Sequence, residues 1–106
     1  MLDEQATALR RDYRPPFLRY LTRQDEAGLR SAYELGRQAI IRNVGLLALV
    51  RIHNDVFLEV LATARTPEAA EDIAHAACCF LIEALAPFEM TQRALPTRRA
   101  ADHQCQ

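Results

Sequence analysis

His53 is the residue of this chain whose type best suits proton transfer near neutral pH. A helix brings residues three or four apart face to face, and neither Asp55 nor Glu59 stands at that spacing from it. A histidine at the edge of the core, with one ring nitrogen satisfied, is therefore the favoured reading. Two others stay open: a small enzyme using His53, and a phospho-accepting histidine in the run His53-Asn54-Asp55, which fits that pattern loosely. His75 and His103 lie elsewhere. Glu68, Glu71 and Asp72 gather where a helix begins, and the helix dipole accounts for them as a solvated start. Cys78 and Cys79 are neighbours, so on a helix they point in different directions and are poorly placed to share a metal ion. With Cys105 they make an odd set, not a disulfide framework, and are read as small buried hydrophobes. The sequence has no glycine-rich phosphate loop, no paired zinc histidines on a helix and no calcium-loop series. No catalytic residue, cofactor or metal is implied.

What stands out instead is apolar surface in excess. FLIEALAPFEMTQR, Phe80 to Arg93, is apolar on nearly all sides for two turns and turns amphipathic after Pro87. A helix that only closes a small core needs one apolar stripe. Ile82 and Leu85 fall off that stripe, as do Leu35 and Ile41 earlier in the chain. A buried face wider than the stripe would absorb them. A contact surface for another protein is the sharper reading.

Four helices must position these residues. The first runs from about Asp3 to Thr22, with Leu9, Tyr13, Phe17 and Leu21 at four-residue spacing. Pro15 and Pro16 interrupt it, at a cost of about 3 kcal/mol for an interior proline. Either the helix kinks there or its ordered part begins at Pro15, and a broken or kinked helix is favoured. The second runs from Asp25, a capping residue, to about Asn43, with Leu29, Ala32, Tyr33, Gly36, Ala39 and Ile40 as its stripe. Gly36 costs about 1 kcal/mol against alanine in mid-helix, which suggests a close helix crossing. The third, Leu46 to about Ala64, carries Leu46, Leu49, Val50, His53, Val56, Phe57, Val60 and Leu61. The fourth opens at Thr66-Pro67-Glu68 and carries Ala70, Ile73, Ala77, Leu81, Ala84 and Phe88. It is expected to end or bend near Pro87.

The expectation is an all-α, four-helix up-and-down bundle. Residues 17–94 form the bundle. Residues 1–16 are an N-terminal arm or the kinked first half of helix one, and residues 95–106 a disordered tail. At 106 residues, half of them apolar and three of them glycine, one globular domain is expected. A net charge of −1 gives no electrostatic case for nucleic acid or anionic lipid. The polar N-terminus shows no leader pattern, and no apolar run reaches the roughly 18 residues of a membrane span. A cytoplasmic location is expected.

AYELGRQAI (Ala32–Ile40), LVRIHNDV (Leu49–Val56) and FLIEALAPFEM (Phe80–Met90) resemble the N-terminal domain of RsbU, the serine phosphatase that switches on a bacterial general stress response. The likeness spans about Leu18 to Arg93. It implies a homodimeric four-helix bundle without enzyme activity that recruits a switch kinase of the RsbT type. Recruitment would turn on a separate metal-dependent phosphatase acting on an anti-anti-sigma factor. Carried over by position, the partner-facing residues are Glu26, Arg30, Ile82 and Ala86. Similar domains also precede sensory and histidine-kinase modules, so a dimerisation or sensory module of the histidine-kinase type is the alternative.

Overall fold

A computed structural model of the chain describes residues 4–93. The expected tail, 95–106, and Cys105 and His103 lie outside the described residues. Four α-helices follow one another: α1 (Glu4–Arg23), α2 (Glu26–Ile41), α3 (Leu46–Leu61) and α4 (Pro67–Arg93). Local chemistry sets their ends. Asp25 takes extended backbone angles and its carboxylate accepts from the Gly28 amide at 2.9 Å, capping α2. Thr66 does the same for α4, accepting from the Ala69 amide at 3.0 Å, with Pro67 in the first turn where no amide donor is needed. α2 stops at a Schellman turn: Asn43 adopts a left-handed φ of 63°, its amide donates to the Ile40 carbonyl, and the Val44 amide donates to the Ala39 carbonyl.

The helices alternate in direction. Arg10 and Arg14 of α1 meet Asp55 and Glu59 of α3 in the same order, so those two run together. Tyr20 approaches Gly28 while Asp12 meets Arg42, so α1 and α2 run oppositely. Gly28 lies at Tyr20, whose ring touches Phe80, and Gly36 lies against Ala84 and Pro87 further along α4, so α2 and α4 run together. The result is the expected all-α up-and-down bundle.

Phe80 is the keystone. Its ring is fully buried and lies 5.4 Å from Tyr13, 5.2 Å from Phe17 and 5.7 Å from Tyr20, centre to centre. The Tyr13 and Phe17 contacts are edge-to-face and the Tyr20 contact is tilted; edge-to-face packing adds about 0.5–1.5 kcal/mol per pair beyond the area buried. Leu9, Leu49, Val56, Ala32, Ala39 and Ala84 are equally inaccessible and complete the centre.

Two expectations left as alternatives are narrowed and one is corrected. α1 is one helix through both prolines, with Leu9 and Tyr13 buried, so of the two readings of this stretch, a separate arm or the first half of helix one, residues 4–16 take the second. The two prolines leave the carbonyls of Arg11 and Asp12 without their helical donors, and both residues are exposed, so water can replace the lost bonds. Of the end or bend expected near Pro87, the end does not occur, since α4 continues to Arg93. Pro67–Thr91 is also long and apolar enough to span a membrane by length and composition, contrary to the expectation that no run reaches that length. Here it serves as the core helix, with Ala76, Ala77, Phe80 and Ala84 buried in the bundle.

Candidate docking surface

α2 and α4 approach each other at the level of the backbone. A side chain at Gly36 would start inside the contact shell of the Ala84 carbonyl, 3.0 Å from its carbon and from the Pro87 ring. Only glycine permits this crossing, as its mid-helix position suggests. The seam pulls Leu35 inward, where it is 8% exposed. Leu35 is therefore core, and the expectation that it belonged to the surplus is corrected. Leu85 likewise packs against the core as a half-buried residue.

Ile82 and Ile41 remain outside, at 53% and 64% exposed. On α4, Ile82, Ala86 and Met90 recur at four-residue spacing along one outward ridge. Two grooves flank that ridge. On one side lies an apolar trough of about 600 Å³, walled by Ile40 from the end of α2, Val44 from the turn after it, Leu46 from the start of α3, and Ile82, Leu85, Ala86 and Phe88 from α4. Ile40 and Leu46, assigned to core stripes by spacing, form its exposed rim instead. Leu47, 81% exposed, and Ile41 continue the apolar surface past it. On the other side lies a charged trough of about 520 Å³ between α2 and α4, lined by Glu26, Leu29, Arg30, Tyr33, Glu34 and Glu83. The Tyr33 hydroxyl donates to the Met90 sulfur at 3.3 Å, tying the ridge to α2.

The four residues expected to face a partner thus split into two pairs. Ile82 and Ala86 line the apolar trough. Glu26 and Arg30 line the charged one. They share the face made by α2 and α4. Glu83 of the charged trough and Met90 of the ridge are not among the residues that the sequence marks out. Glu83 has a signal there, because it adjoins Ile82.

His53 is elsewhere and is closed off. It is 6% exposed, its Nδ1 lies 2.7 Å from the Tyr13 hydroxyl, and its ring meets Tyr13, Phe17 and Phe57. Burial lowers its pKa to about 4, so the ring is neutral, and burial raises the Tyr13 phenol well above its ordinary value. A neutral, enclosed imidazole cannot meet a substrate, which disposes of His53 as an active-site base. It is the core histidine that its spacing suggests. Cys78 departs from expectation: it is exposed, beside Glu71, Asp72 and His75, while Cys79 is half-buried. Among the described residues no group of three or more His, Cys, Asp or Glu side chains is placed to hold a metal ion.

A family model described as the N-terminal domain of the phosphoserine phosphatase RsbU matches residues 11–91, from the middle of α1 to the end of the ridge. No curated protein and no solved structure matches the chain.

Proposed function

The chain belongs to the family of RsbU N-terminal domains, a regulatory domain distinct from the catalytic phosphatase domain, and on that premise we propose that it is a dimerising and partner-recruiting module of bacterial general stress-response signalling. Its partner is a switch kinase of the RsbT type, and its output is control of a serine phosphatase acting on an anti-anti-sigma factor, in the cytoplasm. The observation that supports docking on the α2/α4 face is the Ile82–Ala86–Met90 ridge, with Ile82 and Met90 exposed and Ala86 half-buried beside an apolar trough, although the same helix buries Phe80 and Ala84 on its inner side. Burying a side chain such as Ile82 contributes about 1.5–3 kcal/mol, enough for a few residues to anchor a specific complex.

Ile82→Asp tests this. The side chain is half outside, so the helical content should survive, while affinity for a purified RsbT-type kinase should fall at least about tenfold, the equivalent of about 1.4 kcal/mol. Unfolding of that variant would make Ile82 a core residue and remove the docking face at that site. The homodimer rests on the apolar surface beyond the trough, Ile41 and Leu47. Light scattering at high micromolar concentration should report twice the monomer mass; a monomer there rules the dimer out.

A further inference from the structure

Resting on that docking reading, we infer that the element which covers the α2/α4 face brings a basic side chain to Glu83, next to the apolar side chain that fills the trough beside Ile82. Glu83 is half-buried in the seam, and among the described residues no basic side chain lies within ion-pair distance of it. Among the described residues Glu26 and Arg30, on the opposite wall of the same trough, also form no ion pair. Glu34 is already satisfied, since Arg37 donates to it at 3.2 Å and Gln38 at 3.1 Å, and these bonds hold its carboxyl below the usual range.

The open groups are therefore two carboxylates and one guanidinium. While the trough is wet, water solvates all three and the imbalance costs little. A partner that covers Tyr33 and the ridge expels that water. Each ion left without a counter-ion then carries a desolvation penalty of several kcal/mol. Arg30 can answer one carboxylate, so one more cation is required. An arginine suits the place best, because its planar fork spans a carboxylate while its stem lies along Tyr33. The same arithmetic rejects partners that are merely apolar. They would fill the trough beside Ile82 and strand Glu83, so the carboxylate acts as a selectivity filter next to a generic anchor.

The test is titration calorimetry of the domain against a purified RsbT-type switch kinase at low and at moderate sodium chloride. Glu83→Gln keeps shape and helix propensity, and should weaken binding about thirtyfold or more, the scale on which truncating one partner of a buried charge pair acts. It should also flatten the salt dependence, and Glu83→Lys should weaken binding further. Circular dichroism should show unchanged helix content for both. If Glu83→Gln binds as tightly as the parent, or if the parent's affinity does not fall with salt, the inference fails. The two readings separate cleanly: loss with Ile82→Asp but not with Glu83→Gln leaves the docking face and removes the cation, whereas no loss with Ile82→Asp, or no binding by the parent domain, removes both.

Discussion

The two long flanks of this bundle are finished differently. Along α1 and α3, Arg10 reaches Asp55 at 2.7 Å and Glu59 at 3.8 Å, and Arg14 pairs with Glu59, so every charge in that ladder has an opposite beside it. Along α2 and α4 the backbones are closer, at Gly36 and Ala84, yet among the described residues Glu26, Arg30 and Glu83 form no ion pair, and Ile82, Ile41 and Met90 are exposed. Close packing inside and unmatched groups outside on the same flank are not a contradiction. The seam is rigid because its backbones touch, and a rigid seam can hold an open surface in shape without help from surface contacts. The α1/α3 flank has no such crossing and is laced by side chains instead.

The largest way to break this contrast is to pry the seam open. Gly36→Val should destabilise the domain by about 3 kcal/mol, because the obstacle is the Ala84 backbone, not a side-chain tip that can swing away. The sign of Gly36→Ala is the sharper test. Helix propensity alone favours alanine by about 1 kcal/mol. Urea unfolding should nevertheless show a net loss; a gain would mean that the helices do not cross so closely, and the rigid-seam account would go with it.

Below that in size comes the pair that joins the α1/α3 flank from inside. Tyr13→Phe leaves the His53 Nδ1 buried without its partner, a loss of about 1–2 kcal/mol for an unsatisfied group. The same histidine makes stability depend on pH. Its folded pKa is depressed to about 4 from an ordinary 6.5, so the unfolded chain takes up a proton first as pH falls. Stability should be level above about pH 6.5 and should decline as pH is lowered toward 4. In thermal melts His53→Gln should lose the upper part of that decline, above the range where carboxylates begin to titrate. An unchanged pH profile in His53→Gln would show that the imidazole is not held neutral by burial.

Much of this is legible in the order of residues alone. Asp25, Thr66-Pro67 and Asn43 announce helix ends because capping is local, a matter of one side chain and an amide a few residues away. Gly36 announces a crossing because nothing else justifies glycine in a helix. Phe80 is not legible in that way. On a segment apolar all round, the stripe through Ala77, Leu81, Ala84 and Phe88 is as good by spacing as the one the fold uses, through Ala76, Ala77, Phe80 and Ala84. Only the aromatic rings of α1 decide between them. Leu35 and Ile41 illustrate the same limit on α2: both lie off the stripe, and the seam takes one inward and leaves the other out. Of the proposed face, Ile82 can be read from its own helix. The division of that face into an apolar and a charged trough depends on which neighbours α2 and α3 bring to α4.

The smallest expected effect is in the ladder itself. Asp55→Asn removes the 2.7 Å pair with Arg10 while leaving Glu59 in place for both arginines. All of these side chains are roughly half exposed, so water screens them and an exposed pair contributes only about 0.2–1 kcal/mol. The loss should shrink further as salt rises, since the Debye length falls to about 3 Å at 1 M. The paired ladder thus adds little stability, and its pairing leaves none of Arg10, Arg14, Asp55 and Glu59 seeking a partner. If Asp55→Asn costs several kcal/mol in urea unfolding, or its cost is insensitive to salt, the ladder is a structural strut after all. The α1/α3 flank would then match the α2/α4 seam in rigidity, and the open charges around Glu83 would have to be explained without appeal to that difference.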